Sequence, residues 1–286
     1  MKKSEKDIFL KEHQELIPGR GVYDKRNDLN DKTGKEWRFA TKSVIPYDFE
    51  ETVFSNILIN YPHILPTELA KNLVETFTKG DAVLLDPFAG LGSFLIAASL
   101  ARTSNKAGAT EIGRRARGIG QSVEMREIYL NLCKEKPEIG KQDYFLGTVE
   151  EFAQKNPSLE FDLIISEIPI TKIQGTEDLA IEHFRTNGEV FDFKAWNKTL
   201  TSKLQTIWPF LRKTRYIVLI VPLDWFWHGI GKSQQNYYDL AYEVIKAAET
   251  SGAVFKSEIS WFNELNSAKF SVELKKKILV FRKEDV

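Results

Sequence analysis

Two segments of the sequence carry residue types that could do chemistry, and each comes at the end of an apolar run. The first covers residues 86–93, Asp-Pro-Phe-Ala-Gly-Leu-Gly-Ser, and follows the apolar residues 82–85. Gly90 and Gly92 let a ligand approach the backbone closely, and the next helix would present its N-terminus to that ligand. Asp86 could accept a hydrogen bond from an amine. A glycine-rich turn alone does not specify a ligand, because many α/β folds use one for packing.

The second segment covers residues 161–170, Phe-Asp-Leu-Ile-Ile-Ser-Glu-Ile-Pro-Ile. Its first six residues form a nearly continuous apolar run, which is typical of a buried parallel strand. In open α/β sheets a ligand binds outside the carboxyl ends of the strands. The residues from Glu167 onward therefore belong to the same predicted site as the glycine-rich turn.

These two segments lie within a regular alternation of strands and helices that begins near residue 81. The predicted strands cover 82–86, 116–121, 144–147, 161–166, 216–223, 254–262 and 275–283. The predicted helices cover 67–79, 91–101, 124–135, 148–155, 193–211 and 237–252. The alternation predicts an α/β fold with right-handed crossovers and a mostly parallel sheet that has helices on both faces. The last two strands predict a C-terminal antiparallel hairpin at the edge of the sheet.

Length and composition limit the possible classes of protein. The 286 residues suit one α/β domain with an extension, so we predict an N-terminal arm over residues 1–43 and a domain over residues 44–286. Forty basic residues balance forty acidic ones, which excludes a globally basic nucleic-acid binder but allows a local basic face. A single cysteine, Cys133, excludes a disulfide framework. The sequence shows neither a signal peptide nor an apolar run of about 18 residues, so we expect a cytoplasmic protein without a membrane segment.

The sequence resembles a bacterial and archaeal family of site-specific DNA methyltransferases, which modify cytosine N4 or adenine N6. Residues 86–93 resemble the family's cofactor loop, Asp-Pro-Phe-x-Gly-x-Gly-Thr, which binds S-adenosylmethionine (AdoMet). The resemblance continues in the arm at Asn27-Asp28-Leu29, Thr33-Gly34-Lys35-Glu36-Trp37 and Thr41-Lys42-Ser43, and in Tyr61-Pro62-His63-Ile64-Leu65-Pro66. It covers about residues 20 to 283 and implies a Rossmann-like, seven-stranded methyltransferase sheet, AdoMet as the cofactor and DNA as a partner.

The resemblance also assigns site residues, and several of them depart from the family pattern. The implied cofactor-binding positions are Asp86, Pro87, Phe88, Ala89, Gly90, Gly92, Ser122 and Thr148. Ser122 stands where the family has an acid that holds the ribose hydroxyls, and Thr148 stands where it usually has an aspartate. Tyr61 and Leu65 also replace the usual His and Phe.

The catalytic loop of the family is a small polar residue, Pro-Pro and an aromatic residue. Here those positions are Glu167, Ile168, Pro169 and Ile170. Glu167 could still accept a hydrogen bond from the target amine, whereas Ile168 lacks the fixed φ of proline. Ile170 cannot stack on a flipped base, an interaction worth roughly 1–3 kcal/mol.

The departures fall on cofactor and target positions, while the scaffold pattern is retained. We therefore expect a catalytically degenerate DNA methyltransferase that forms an oligomer with an active methyltransferase subunit. One alternative is an active AdoMet-dependent DNA amino-methyltransferase with an atypical loop, in which Glu167 is the acceptor. Another is a small-molecule or RNA methyltransferase on the same fold.

Other residues allow both functional and structural interpretations. Four separated histidines, His13, His63, His183 and His228, lack the spacing of metal ligands. Cys133 lies at an apolar helical position and suits a structural thiol. Residues 224–228, Asp-Trp-Phe-Trp-His, would form an aromatic platform or simply pack beneath a loop, and loop 171–192 would face DNA or a partner. A further basic cluster comprises Arg102, Lys106, Arg114, Arg115 and Arg117. Its side chains would either contact phosphate or remain solvated.

Overall fold

A computed structural model describes residues 9–45, 51–57, 61, 64–104, 111–169, 193–222, 239–264 and 272–285. The strands in these ranges are β1 (Gln14–Ile17), β2 (Gly21–Asp24), β3 (Val44–Ile45), β4 (Val83–Asp86), β5 (Thr103–Ser104), β6 (Glu111–Ile112), β7 (Arg115–Gly120), β8 (Asp143–Leu146), β9 (Phe161–Glu167), β10 (Leu211–Pro222), β11 (Val254–Glu264) and β12 (Val272–Arg282). The α-helices are α1 (Gly34–Ala40), α2 (Thr67–Phe77), α3 (Ser93–Leu100), α4 (Val123–Glu135), α5 (Val149–Lys155), α6 (Phe193–Ile207) and α7 (Leu240–Thr250), and short 3-10 helices cover Ser55–Ile57 and Trp208–Phe210.

The central sheet confirms the predicted α/β fold. Its strand order is β3-β11-β12-β10-β9-β4-β7-β8. The strands β8, β7, β4, β9 and β10 are parallel, and β11 and β12 form the predicted antiparallel hairpin. The hairpin is not a simple edge, however, because β12 lies between β10 and β11. The two-residue strand β3 pairs with β11 and adds an eighth strand to the seven that were predicted.

The two faces of the sheet are buried in two separate apolar cores. Successive residues of a strand point to opposite faces, so Leu84 and Leu163 pack in one core while Leu85 and Ile164 pack in the other. The first core contains the apolar sides of α2, α3 and α4. The second contains those of α5, α6 and α7, including the fully buried Trp196. Helices therefore cover both faces, as the sequence predicts.

One predicted element boundary differs because of proline. The helix predicted over 193–211 ends at Ile207, and Pro209 then lies in the 3-10 helix that follows. The next strand begins at Leu211, earlier than predicted, and its pairing with β9 is irregular between Leu211 and Tyr216. The irregularity includes Thr214, whose φ is 60°.

The N-terminal arm is attached to the domain by specific hydrogen bonds. Thr33 and Glu36 form a capping box that starts α1: the Glu36 amide donates to the Thr33 hydroxyl over 3.3 Å, and the Thr33 amide donates to the Glu36 carboxylate over 2.8 Å. The side-chain amide of Asn30 donates to the Thr76 backbone carbonyl over 2.6 Å, and the backbone amide of Gly80 donates to the Asp31 carboxylate over 3.0 Å. The described part of the arm is thus ordered, whereas the boundary at residue 43 stays a prediction.

Candidate functional site

The candidate site begins with Asp86, the last residue of β4. Its side chain is buried, with 2% of the residue exposed. The Ser166 hydroxyl donates to its carboxylate over 2.5 Å, and the Phe88 amide donates over 3.3 Å. Burial raises the pKa of Asp86 to about 7, although both hydrogen bonds oppose this effect. Near neutral pH Asp86 is therefore a partly protonated group and not a fixed anion.

The glycine-rich turn after Asp86 has the backbone shape that the sequence predicts. Gly90 and Gly92 have φ values of 50° and 82°, in the left-handed region that glycine adopts readily. A Cβ atom at Gly92 would also lie 2.7 Å from a ring carbon of Tyr129. The turn leads directly into α3, whose first residue is Ser93.

A small cavity lies beside this turn, where the carboxyl ends of β4, β7, β8 and β9 meet. Its volume is about 30 Å³, and an adjoining groove of about 740 Å³ shares Gln121 and Lys203 with it and reaches Thr148. The lining residues are Pro87, Phe88, Gly90, Ile119, Gly120, Gln121, Ser122, Met125, Tyr144, Gly147, Val149, Pro169 and Lys203. Of the sequence-predicted positions, Pro87, Phe88, Gly90, Ser122 and Pro169 line the cavity, whereas Asp86, Ala89, Gly92 and Thr148 do not.

Ser122, which lines this cavity, and Thr148, which lines the adjoining groove, each cap a helix. The Met125 amide donates to the Ser122 hydroxyl over 3.2 Å at the start of α4. The Glu151 amide donates to the Thr148 hydroxyl over 3.1 Å, within a capping box at the start of α5. Both hydroxyls therefore have a structural role, and their predicted contact with a cofactor stays a prediction. The spacing of Thr148 and Glu151 is a sequence pattern that could have indicated the cap.

Gly120 and Tyr144 form a matched pair that sequence reasoning missed. Gly120 is the last residue of β7, and a Cβ atom there would overlap the Tyr144 hydroxyl and lie 2.8 Å from Cζ of its ring. The Tyr144 hydroxyl donates to the Gly90 carbonyl over 2.8 Å, and the residue is 8% exposed. Tyr144 thus fills the space that a side chain at position 120 would use. Glycines in a strand often mark such a close approach, and Gly118 and Gly120 in β7 are that signal.

The residues of the predicted catalytic loop are engaged in the sheet. Glu167 ends β9, and the ammonium group of Lys276 on β12 donates to its carboxylate. Ile168 is fully buried, and its amide donates to the Ile220 carbonyl over 2.9 Å. Pro169 lines the cavity, and Ile170 lies outside the residues that the structure describes. Ile168 therefore continues the pairing of β9 with β10 instead of turning away as a loop residue.

These observations test whether AdoMet fits the cavity. The left-handed glycines after β4 fit a nucleoside cofactor, because they let the backbone approach it. Just after the end of β7, Gln121 and Ser122 line the cavity with neutral polar side chains where the family has an acid, and Tyr144 fills the space beside Gly120. Within the described part of the chain, the one charged side chain that lines the cavity is Lys203, which lies 3.5 Å from a Glu150 carboxylate oxygen. The described lining therefore offers the ribose hydroxyls of AdoMet neutral acceptors and no carboxylate.

The basic cluster of the sequence is largely neutralised in the structure. Arg114 is 3% exposed and donates to the Ala101 carbonyl over 2.7 Å and the Thr78 carbonyl over 3.0 Å. It also pairs with Asp31, at 3.4 Å, so its interpretation as a phosphate contact or a solvated side chain is wrong. Arg115 and Arg117 pair with Asp81 and Asp143, at 3.6 and 3.4 Å. Lys106 lies outside the described residues.

The remaining candidates do not add to the site. Cys133 is partly buried, and burial raises the pKa of its thiol, which disfavours the reactive thiolate. Across the described ranges, no group of three or more His, Cys, Asp or Glu side chains could hold a metal ion. The same ranges contain no helix with the length and apolar character needed to cross a membrane. Residues 224–228 and loop 171–192 lie outside the described chain.

Comparison with known proteins identifies a fold but no sequence family. No protein-family model matches the chain, and no curated protein matches it. A SAM-dependent methyltransferase structure from Agrobacterium tumefaciens aligns with 78% of this chain and 64% of its own, at 12% identity and a TM-score of 0.51. TrmN from Thermus thermophilus aligns with 77% of this chain and 49% of its own, at 12% identity and a TM-score of 0.46. The chain therefore spans about half to two thirds of these two proteins, and the first of them shows a Rossmann-like methyltransferase fold.

Proposed function

We propose that this chain is a DNA methyltransferase-family protein that has lost methyl transfer and acts as the non-catalytic partner of an active DNA methyltransferase. The observation that carries the proposal is the ion pair between Glu167 and Lys276. Glu167 occupies the position that, by resemblance, accepts hydrogen from the target amine. Because an ammonium group already binds one oxygen of its carboxylate, the negative charge of Glu167 is partly offset and the group is a weaker acceptor for the target amine.

The surroundings of Glu167 hold this ion pair in place. The Lys276 side chain is only 8% exposed, and a buried cation that loses a carboxylate partner is strongly destabilised. Ile168 is held by β10 through its amide, so the backbone beside Glu167 is fixed as well. Since methyl transfer depends on placing the amine about 3 Å from the methyl group, a strand-bound, ion-paired acceptor is poorly suited to the reaction.

AdoMet is the cofactor that the likeness to SAM-dependent methyltransferases supports. In a functional enzyme it would supply the methyl group, and the turn after Asp86 would hold part of it. Ser122, at the position of the family's acid, and the neighbouring Gln121 offer the ribose hydroxyls neutral acceptors and no carboxylate, so we expect binding weaker than micromolar. The DNA part of the proposal rests on the resemblance of the arm and of residues 86–93 to DNA methyltransferases.

The first test is calorimetric titration of AdoMet into the full chain. We expect no binding in the micromolar range, which corresponds to about −8 kcal/mol of binding free energy. Micromolar binding, or transfer of a labelled methyl group to DNA by the isolated chain, would contradict the loss of function and favour an active enzyme with an atypical loop.

The second test addresses pairing. We expect the chain to co-purify with an untagged methyltransferase encoded beside it, and failure to pair with such a protein would count against the partner role.

A variant with Ile168→Pro and Ile170→Tyr is the control for the loss of methyl transfer. It places the family residues at these two loop positions but leaves Gly120 and Tyr144 unchanged. Methylation by this variant would show that function was lost in the loop and not in the cofactor cavity.

A further inference from the structure

A second basic surface lies on the N-terminal arm, on one side of α1. Lys35, Arg38, Phe39 and Lys42 recur at helical spacing and line a groove with a volume of about 690 Å³. Val22 of β2 and Gly34 complete the groove. No acidic side chain of the described residues lines it, which distinguishes it from the paired arginines around β7.

The charges of this surface have no acidic partner within the ranges that the structure describes. Among the described residues, Lys35, Arg38 and Lys42 form no ion pair. The one acid of α1, Glu36, is bound by Arg20 over 2.7 and 2.9 Å and by the Thr33 amide. The three cations of the groove therefore present an unbalanced positive field on a chain whose net charge is zero.

An exposed aromatic ring lies among these charges. Phe39 is 60% exposed, and the ammonium group of Lys42 lies 4.5 Å from its ring centroid. Cations bind phosphate oxygens, and an exposed ring can pack on a sugar or a base. We infer that the α1 surface, formed by Lys35, Arg38, Phe39 and Lys42, binds the sugar–phosphate backbone of DNA; this inference rests on the proposed function.

The location of the α1 surface relative to the cavity determines which active site the bound DNA could enter. Trp37 of α1 packs edge-on against Phe77 at the end of α2, with ring centroids 6.3 Å apart. The preceding residue Asp31 binds the amide of Gly80, just before β4 begins. The arm is therefore attached near the amino ends of the parallel strands at Asp31, and near their carboxyl ends at Ser43, whose carbonyl accepts from the Ser260 amide of β11 over 2.9 Å. In the sheet, β11 is separated from β9 by β12 and β10, and the cavity lies at the ends of β4, β7, β8 and β9. DNA on the α1 surface would therefore lie on the β11 side of the sheet, away from this chain's own cavity, and would be available to a partner's site.

The test is fluorescence anisotropy with the full chain and a labelled DNA duplex of about two helical turns, over a series of salt concentrations. The slope of log K against log salt is negative, and each lost phosphate contact reduces its magnitude by about 0.9, so replacing Lys35, Arg38 and Lys42 by Ser should reduce the magnitude by about 2.7. A control variant with Arg115, Arg117 and Lys213 replaced by Ser removes the same charge from exposed ion pairs. We expect it to keep the wild-type slope.

Phe39→Ser tests the contribution of the aromatic ring to DNA binding without changing the charges of the surface. It should weaken DNA binding several-fold, since stacking is lost, and leave the salt slope unchanged. Equal slopes for the wild type and the Lys35, Arg38, Lys42 variant, or no DNA binding by the wild type at low salt, would overturn the inference. Tighter binding to an RNA duplex of the same sequence would overturn the assignment to DNA. None of these results would affect co-purification with a methyltransferase. A failure of the DNA-binding inference can therefore be distinguished from a failure of the proposed partner role.

Discussion

Replacing Gly120 by alanine tests the packing of the cavity directly. The new Cβ atom would overlap the Tyr144 hydroxyl and lie 2.8 Å from Cζ and 3.1 Å from Cε1 of the ring. The ring has little freedom to move, because its hydroxyl is bonded to Gly90 and its face lies against Tyr129, with centroids 5.8 Å apart. We expect Gly120→Ala to destabilise the fold.

The size of this effect follows from the contacts. Overpacking a buried site by one carbon atom costs about 1–3 kcal/mol. In a Tyr144→Ala background the obstructing ring is gone, and Gly120 does not have a positive φ. There the same substitution should be neutral, or stabilising by about 0.4–1 kcal/mol, since alanine restricts the unfolded chain. The predicted coupling energy between positions 120 and 144 is therefore about 1–4 kcal/mol.

The assay is a double-mutant cycle measured by chemical denaturation of the wild type, both single variants and the double variant. Gly140→Ala is the matched control, because a Cβ atom there would meet Ser99 at an ordinary 3.7 Å. Tyr144→Leu provides a second background with a smaller loss of packing than Tyr144→Ala. If Gly120→Ala costs the same free energy with and without the Tyr144 ring, Tyr144 does not exclude a side chain at position 120, and the reasoning about the cavity is wrong.

Two further predictions concern the buried acid and the arm. The pKa of Asp86 in the fold, about 7, lies above the usual carboxyl value, so the native state holds one more proton than the unfolded chain between about pH 4 and pH 7. The free energy of unfolding should therefore fall as the pH rises through that range. Asp86→Asn should flatten this pH dependence in denaturation curves, and an unchanged slope would contradict the burial argument. Asp31→Ala should cost about 1–3 kcal/mol and speed limited proteolysis of the arm, because it removes the acceptor of the Gly80 amide and the partner of Arg114. Asp28→Ala is its control, since the Asp28 side chain is 77% exposed and pairs with Arg215 only at 3.7 Å; equal proteolysis of the two variants would argue against the Asp31 anchor.

The fold could be predicted from local patterns because apolar runs and helical spacing are properties of short segments. The strand β9 and the helix α4 lie within a residue or so of their predicted ranges. The place of β12 between β10 and β11 could not be predicted in this way, because strand order depends on pairing between segments far apart in the chain. The alternating pattern of a strand identifies its buried face and not its neighbours.

The site was harder to predict than the fold, because one residue type can serve several purposes. A serine after a strand can hold a ligand or cap a helix, and Ser122 caps α4. An arginine in a basic run can be solvated or buried, and Arg114 is buried with carbonyl partners and Asp31. Gly120 and Tyr144 are separated by more than twenty residues, so only the three-dimensional structure shows that the glycine makes room for the tyrosine.

The position of β12 has a consequence for synthesis on the ribosome. This strand pairs with β10 on one side and β11 on the other, yet it is made after both. Until residue 282 has left the ribosome, β10 and β11 therefore each expose an unpaired strand edge, and such edges promote association between chains. A nascent chain that stops before residue 272 would keep both edges open. Premature termination in this region should consequently give aggregated protein instead of a shortened but folded one.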